Sequence, residues 1–452
     1  MIEQSHSATA TTRTSLRIMH VTGTYLPWTL GGKENYAHSL ACELTKLGCN
    51  NHIVFNQNEN TQEPLGMHEL DGIPVEVLPA IEERERRVFY ANRTSEVPGF
   101  EEALARYQPN IVHMHDFGRN TNLLHLELAQ KAGARTVMTY HSPGQSCLQR
   151  EMLFGGKTVC DGEIQLDRCT ECRLAVQGIP AWLRKPVSRI SLPVASTGGR
   201  LSRALTAREM TAAFAKAWRE LIDRLDAIHV QARWIVEVMK INRVPERKIA
   251  FFRSGLPIIP QGKFSPSERQ PGSPLKITML GRCEAIKGQE VLIDAVQSLP
   301  ANTKVEVTFL GPYWNSTDYG QRCLSKIAGD SRFHKPRRVA PQAIAGELAQ
   351  ADALVVPSIW LETGPLVVLE AFAVGLPVIG SNRGGIAELI THEKNGWLFP
   401  TGDSQALAHL LQKAFDDPSS LEKLRRQITP PRLMADTAAD TKKLYESLVS
   451  CQ

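Results

Sequence analysis

Two series of short apolar segments, each alternating with helix-like patterns, constrain the fold of this chain more than any other feature. The first series contains LRIMHVTG, HIVF, NIVHMH, RTVMTYH and AIHV, and the second contains KITMLG, VEVTFLG, ALVVPS and PVIGS. Continuous apolar runs of this length are typical of parallel strands that are buried on both faces. The sequence therefore predicts an α/β fold with two doubly wound, Rossmann-like domains.

Composition shifts predict where these domains begin and end. We expect a flexible tail over 1–15, an N-terminal domain over 16–257, a Pro-, Gly- and Ser-rich linker over 258–274 and a C-terminal domain over 275–430. A helix over 431–452 is expected to pack back on the N-terminal domain. Because ligands of such domains bind beyond the carboxyl ends of the strands, the cleft between the two sheets is the expected site.

Composition and charge narrow the class of protein. Hydrophobic residues make up 42% and charged residues 22% of the 452, and no apolar run approaches the roughly 18 residues that a membrane span needs. The polar N-terminal residues lack an apolar signal core, so a cytoplasmic protein is expected. The net charge of +5 favours anionic partners such as nucleotides but is too small to indicate nucleic acid.

The segment ETGPLVVLE places Glu362 and Glu370 at the two ends of an apolar run. A buried carboxylate needs a cation or a ligand rich in hydrogen-bond donors, although a helix-capping Glu362 and a solvated Glu370 would also fit the pattern. A helix is predicted to begin at Gly364-Pro365 and to end before Gly375. Its start, formed by Gly364, Pro365, Leu366 and Val367, offers backbone amides to a phosphate, while the two carboxylates can accept from sugar and ribose hydroxyls.

A second anion site is predicted in GRCEAIKGQEVLIDA. Arg282 and Lys287 lie between the end of a strand at Gly281 and the start of a helix, where the helix dipole adds to their charge. A diphosphate is the anion that two such cations fit. The alternative is that both are ordinary solvated surface residues.

Several motifs together resemble the retaining glycosyltransferases of family 4, which share the two-domain GT-B fold. They are GGKENYAHSLACELTKLG, PNIVHMHD, TYHS, the GR…KG element, PSIWLETGPLVVLEAFAVGLPVIGSNRGGIAELI and NGWLFPTGD. By this resemblance Glu362 holds the donor sugar, Glu370 the ribose, and Arg282 and Lys287 the diphosphate. Gly31 and Gly32 approach the diphosphate from the other domain, and His141 faces the transferred sugar.

The resemblance implies transfer of a sugar from a nucleotide diphosphate donor to a hydroxyl acceptor with retention, in bacterial cell-surface polysaccharide or glycolipid assembly. No Asp-x-Asp occurs in the chain, so no divalent metal is expected at the donor diphosphate. A nucleotide-sugar 2-epimerase and a non-catalytic nucleotide-sugar-binding protein are the alternatives. The base, the sugar and the acceptor are left open.

The segment 181–210 combines six basic residues with the apolar residues Trp182, Ile190 and Leu192. Such a surface can dock on anionic lipid and present a lipid-linked acceptor. This interpretation predicts peripheral association with the inner face of the membrane. A solvated basic face is the alternative.

Four of the nine cysteines fall within one insertion, 147–172, that closely follows His141. They are Cys147, Cys160, Cys169 and Cys172, and the last two have the two-residue spacing that suits a tight turn around a metal. In a reducing compartment four thiolates fit a closed structural zinc site better than disulfides. An iron–sulfur cluster and free cysteines are the alternatives.

Overall fold

Two sheets, one in each half of the chain, form the frame of the molecule. The computed structural model describes residues 15–29, 31–58, 63–82, 95–193, 199–257, 260, 264, 269–270 and 272–450. Nearly all of the predicted tail and most of the predicted linker lie outside these residues.

The N-terminal sheet has eight strands in the order β10-β9-β6-β5-β1-β2-β4-β3, and only the β3–β4 pair is antiparallel. Its strands are β1 Arg17–Val21, β2 Asn50–Asn56, β3 Gly66–Leu70, β4 Ile73–Leu78, β5 Ile111–Met114, β6 Arg135–Thr139, β9 Ala227–Val230 and β10 Ile249–Phe251. A separate hairpin, β7 Leu153–Phe154 and β8 Thr158–Val159, lies in the cysteine-rich insertion.

The C-terminal sheet has five parallel strands in the order β12-β11-β13-β14-β15. They are β11 Leu275–Leu280, β12 Val305–Leu310, β13 Ala353–Val356, β14 Val378–Ser381 and β15 Gly396–Phe399. Both sheets are parallel at their centres, so the loops after the strands of each sheet gather at one edge.

Helices cover the faces of both sheets. In the N-terminal half they are α1 Gly32–Lys46, α2 Phe100–Tyr107, α3 Leu123–Lys131, α4 Leu166–Val176, α5 Ala181–Ser188, α6 Arg200–Leu205, α7 Ala207–Arg224 and α8 Arg233–Ile241. In the C-terminal half they are α9 Gln289–Gln297, α10 Asp318–Ile327, α11 Ile344–Leu348, α12 Leu366–Ala373, α13 Gly384–Leu389, α14 Ser404–Asp416, α15 Pro418–Arg425 and α16 Met434–Ser450. Short 3-10 turns lie at Pro143–Gln145, Glu246–Lys248, Ala285–Lys287 and Pro341–Ala343.

The fold confirms the α/β prediction with its two Rossmann-like sheets. All nine predicted strand segments coincide with strands, and the predicted helices after Gly32 and Pro365 are α1 and α12. The sequence analysis did not identify the β3–β4 hairpin, β10 or β15. These strands lie at or near the edges of their sheets and are too short or too polar to stand out as apolar runs.

The last helix, α16, returns to the N-terminal domain. Met434, Ala438 and Tyr445 pack in one apolar cluster with residues of β1 and α1. At the crossing, Gly255 runs so close to the returning chain that a Cβ atom on it would lie 2.0 Å from the carbonyl oxygen of Leu433. Only glycine permits this approach, so the two segments that connect the domains are held side by side.

No helix in the described part of the chain combines the length and the apolar character needed to cross a membrane.

Candidate active site in the interdomain cleft

A buried ion pair lies at the carboxyl edge of the C-terminal sheet. Lys287, in the turn after β11, donates to Glu362 Oε1 at 2.7 Å, and Ser358 Oγ donates to the same oxygen at 2.8 Å. Burial alone would raise the pKa of Glu362, but the Lys287 ammonium outweighs it and holds that pKa below its usual value. Glu362 is therefore ionised although it is buried.

A close backbone approach brings the loops that carry this pair together. Gly288 has φ of +77°, and a Cβ atom on it would lie 2.1 Å from the carbonyl oxygen of Pro357. The loop after β11 can therefore approach the loop after β13 only with glycine at this position.

The Glu362 segment also connects the two domains. Its carbonyl oxygen accepts from the Nε1–H of Trp234 in the N-terminal domain at 2.9 Å and from the N–H of Gly385 at 2.7 Å. Its neighbour Thr363 donates through Oγ1 to the carbonyl oxygen of His141 at 3.0 Å. The structure thus joins the backbone of His141 in one domain to Thr363, the residue that follows Glu362 in the other.

Helix α8 is capped by the opposite domain. The N-cap residue Ala232 has no side-chain acceptor, and the carboxylate of Glu388 in α13 accepts from the N–H groups of Arg233 and Trp234 at 2.8 and 3.0 Å. Arg253 donates to the same carboxylate at 3.1 Å. Because a cap supplied in this way requires both domains, it stabilises the contact between them.

His141 is the last member of a buried hydrogen-bonded chain of imidazoles. Its Nε2 lies 3.2 Å from His115 Nδ1, His115 Nε2 lies 3.0 Å from His20 Nδ1, and His20 Nε2 lies 3.1 Å from Asn51 Oδ1. Asn51 Nδ2 donates to Thr45 Oγ1, which fixes Asn51 Oδ1 as an acceptor. All three rings must then carry their proton on Nε2.

This proton arrangement leaves His141 Nδ1 with a lone pair and no hydrogen-bond partner among the described residues. Burial, with Lys33 nearby, lowers the pKa of His141 to about 3, and burial lowers the pKa of His20 to about 4. His141 is therefore a neutral ring whose Nδ1 can only accept a hydrogen bond.

His20, His113 and His115 also form the one trio of possible metal ligands in the described residues whose donor atoms all lie within 4.8 Å of one another. Every ring nitrogen of this trio already has a partner, since His113 contacts Tyr445 Oη at 2.6 Å and Thr139 Oγ1 at 2.7 Å. The ring nitrogens of this trio are therefore used in hydrogen bonds, and His113 joins α16 to the sheet through Tyr445.

The glycine turn before α1 lies beside a second charged cluster. Lys33 Nζ lies 2.8 Å from Asp116 Oδ2 and 3.4 Å from Glu34 Oε1. Gly32 has open space where a Cβ atom would be, whereas a Cβ atom on Gly31 would lie 2.5 Å from Glu34 Oε2. The sequence analysis identified the two glycines but not the charged cluster beside them. Asp116 lies 83 residues after Lys33 in the chain, so the sequence does not show that the two meet.

The other predicted donor-side residues lie in the loop after β11 and at or near the start of α12. Arg282 is exposed and pairs with Glu284 at 3.2 Å. At the start of α12, Gly364 approaches Gln231 of the other domain, and the amides of Leu366 and Val367 have no acceptor within the helix. Glu370 is half-buried without an ion pair to any described residue, and burial raises its pKa to about 7.

Two family models together match most of the chain. The model described as a glycosyl transferase 4-like domain matches residues 31–255, and the model described as glycosyl transferases group 1 matches residues 261–429. The chain belongs to the family 4 glycosyltransferases.

Curated relatives of this glycosyltransferase match it over part of their length. WcaL of Escherichia coli K12, whose assigned role is in colanic acid biosynthesis, is 27% identical over 46% of this chain and 52% of its own. The amylovoran biosynthesis glycosyltransferase AmsK of Erwinia amylovora is 36% identical over 30% of this chain and 35% of its own. The chain thus spans about half or less of the length of these relatives.

Solved structures share the fold over nearly the whole glycosyltransferase chain. A sucrose-phosphate synthase from Thermosynechococcus elongatus superposes with a TM-score of 0.64 and 16% identity, covering 97% of this chain and 100% of its own. The Anabaena protein HepE, in a complex with UDP and glucose, superposes with a TM-score of 0.58 and 14% identity, covering 96% and 100%. At these identities the likeness establishes the GT-B fold.

The raised pKa of Glu370 predicts that this carboxylate destabilises the free protein at alkaline pH. Between pH 4.5 and 7 the folded state retains a proton that the unfolded state has lost, so stability falls as pH rises through this window. Glu370→Gln should therefore be more stable than wild type at pH 8, by on the order of 1–3 kcal/mol, and equally stable near pH 4. Chemical denaturation at both pH values measures this. The exposed Glu237→Gln is the control, and a Glu370→Gln effect that is the same at both pH values would contradict the prediction.

The imidazole chain predicts that Asn51 controls the proton position on His141, although three hydrogen bonds separate them. Nitrogen-15 NMR of histidine-labelled wild type should show the Nε2–H form for His20, His115 and His141. In Asn51→Leu the terminal acceptor is lost, so we expect a mixture of Nδ1–H and Nε2–H forms at His141. Asn51→Asp keeps the acceptor and should retain the wild-type form. Unchanged tautomers in a folded Asn51→Leu protein would refute the prediction that Asn51 determines the proton position on His141.

Proposed function

We propose that this protein transfers a sugar from a nucleotide diphosphate donor to a hydroxyl acceptor with retention at the anomeric carbon, in bacterial cell-surface polysaccharide or glycolipid assembly. The observation that carries the proposal is the ionised Glu362, which is paired with Lys287 and whose neighbour Thr363 donates to the carbonyl oxygen of His141 in the opposite domain. A fixed anion, a fixed cation and a neutral imidazole at one edge of the cleft suit a donor that has both sugar hydroxyls and a diphosphate.

The cations in the loops after β11 would hold the diphosphate. The Lys287 ammonium has three N–H groups and uses one for Glu362 Oε1, so it can still donate to phosphate oxygens. Arg282 forms an exposed ion pair with Glu284. Because such a pair contributes little free energy, Arg282 can exchange it for a contact with a phosphate. The amides of Leu366 and Val367 would add a helix N-terminus to this site.

The carboxylates would hold the two sugar units of the donor. Glu362 accepts from hydroxyls of the transferred sugar, and Glu370 accepts from both ribose hydroxyls. Glu370 must be ionised to accept twice, so donor binding should release protons near pH 7. Gly31 and Gly32 let the N-terminal domain approach the diphosphate, and His141 accepts a hydrogen bond from the transferred sugar through Nδ1.

The proposed reaction needs no nucleophile from the protein. The bond from the anomeric carbon to the diphosphate oxygen breaks as the acceptor oxygen bonds to the same face of that carbon. The acceptor proton passes to an oxygen of the departing diphosphate. Lys287 and Arg282 stabilise the charge that accumulates there, in place of a divalent metal.

Known relatives support the type of donor and the process. HepE binds UDP and glucose, and the catalytic domain of Arabidopsis starch synthase IV binds ADP and acarbose in the same fold. WcaL and AmsK carry names that refer to the biosynthesis of colanic acid and of amylovoran.

A basic and apolar surface on the N-terminal domain would bring the enzyme to its acceptor. Trp182 and Leu201 are 76% and 72% exposed, and they lie among the basic residues of α5 and α6. Lys185 and Arg203 form no ion pair with a described carboxylate. We propose that this surface, named here the α5–α6 surface, docks on anionic lipid at the inner face of the membrane, with the protein otherwise in the cytoplasm.

Lys287→Met tests the proposed role of the cation. Turnover of the accepted nucleotide sugar should fall roughly 10²–10³-fold, as when one preorganised charge donor is removed from a site. The variant should also melt earlier, because Glu362 is left buried without its partner. Lys276→Met, at the opposite end of β11 and exposed, is the matched control. Wild-type turnover in a folded Lys287→Met protein would refute the role.

An assay of nucleotide-sugar turnover decides between the proposed function and its alternatives. The protein is incubated with UDP-, ADP-, GDP- and dTDP-sugars, first alone and then with lipid-linked acceptors, and the anomeric configuration of the product is read by NMR. Epimerisation of the donor without an acceptor would indicate a 2-epimerase. Binding with neither hydrolysis nor transfer would indicate a non-catalytic protein.

The α5–α6 surface predicts membrane binding that weakens with salt. The protein should float with liposomes that contain anionic lipid, but not with zwitterionic liposomes, and the bound fraction should fall as ionic strength rises. Trp182→Ala combined with Lys185→Ala should reduce binding several-fold. Tyr313→Ala, which removes an exposed aromatic residue of the C-terminal domain, should not. Binding that is equal for both lipids or insensitive to salt would reject the proposal.

A further inference from the structure

The four clustered cysteines line one small cavity. Cys147 follows the 3-10 turn after β6, Cys160 follows β8, and Cys169 and Cys172 lie on α4. The last two are thus on one face of a helix, not in the tight turn that the spacing predicts. The cavity between the four has a volume of about 30 Å³, so it has room for one water-sized occupant.

A backbone donor, a cationic side chain and apolar side chains surround this cavity. The N–H of Gly155, in the turn between β7 and β8, donates to Cys172 Sγ at 3.2 Å. The guanidinium of Arg168 lines the same cavity and interacts electrostatically with Cys160 and Cys169. An apolar shell encloses the rest, with Met152, Leu153, Phe154, Ile164 and Phe214. A backbone donor, a fixed cation and an apolar shell are the outer features that stabilise metal thiolates.

We propose that Cys147, Cys160, Cys169 and Cys172 bind one structural zinc ion. Four thiolates complete the tetrahedral shell of zinc and leave no position for a substrate, so the role is structural. An iron–sulfur cluster also takes four thiolates and is the alternative that metal analysis distinguishes from zinc.

Zinc binding must draw the sulfur atoms inward. No three of them lie within 4.8 Å of one another, because the His20 trio is the one such group in the described chain. Tetrahedral zinc with bonds of about 2.3 Å places its sulfur ligands about 3.8 Å apart. The proposal therefore requires the four partly buried cysteine side chains to rotate toward the cavity that they line.

The metal would hold the loop that follows His141. The side-chain oxygen of Gln145 accepts from the N–H of His141 at 2.6 Å, and Cys147 N–H donates to the carbonyl oxygen of Pro143 at 2.8 Å. A zinc ion bound to Cys147 therefore fixes the turn that positions His141. This consequence rests on the proposed function, whereas the metal site does not.

Elemental analysis of the full chain, purified with a reducing agent and without a chelator, tests the site. We expect close to one zinc per chain. The paired variant Cys169→Ser, Cys172→Ser should lose nearly all of it, while Cys42→Ser, which changes a cysteine far from the cluster in sequence, should retain it. A metal-free wild type, zinc that persists in the paired variant, or iron in place of zinc would overturn the proposal.

A measurement on wild type keeps the test independent of how the variant folds. Cobalt exchanged for zinc should give the intense visible and thiolate-to-metal bands of a tetrahedral four-thiolate site. A mercurial reagent should release the metal as four thiols react. Octahedral cobalt spectra, or disulfides among the four cysteines in the reduced preparation, would refute the site whether or not the protein transfers a sugar.

Discussion

The arrangement of the cleft depends on the ion pair between Lys287 and Glu362. A buried carboxylate stays ionised only with a partner, and removing one member of such a pair costs about 3–5 kcal/mol. The same residue also accepts through its carbonyl oxygen from Trp234 of the other domain and from Gly385. One position therefore joins two loops of the C-terminal sheet to the N-terminal domain, and a change in its charge alters both the site and the interface.

The imidazole chain in the N-terminal half carries no charge at neutral pH. His20 and His115 are buried and His141 is half-buried, and desolvation holds the pKa values of all three rings below the usual range. The unfolded chain binds protons at these rings below about pH 6.5 and the folded chain does not, so their contribution to stability falls as pH drops below that value. The hydrogen-bonded chain is thus stable at neutral pH and sensitive to acid.

Local patterns in the sequence predicted what depends on neighbours along the chain. The apolar runs gave the central strands, and the Gly364-Pro365 step gave the start of α12. The Lys287–Glu362 contact joins residues 75 positions apart, and the Thr363–His141 contact joins residues 222 apart, so no local pattern contains either pair. The capping of α8 by Glu388 is likewise invisible in sequence, since it needs the relative position of two domains.

The geometry at His141 restricts what the N-terminal domain can contribute to the proposed reaction. A ring with a pKa of about 3 is not protonated at neutral pH, so it cannot donate a proton to a leaving group, and its low basicity makes it a weak base toward the acceptor. Its Nε2–H already donates a hydrogen bond to His115 Nδ1. The Nδ1 lone pair can still accept a hydrogen bond, and it can thereby orient one hydroxyl of the transferred sugar. Proton transfer is then left to the departing diphosphate, and the cations of the C-terminal domain become the main source of transition-state stabilisation.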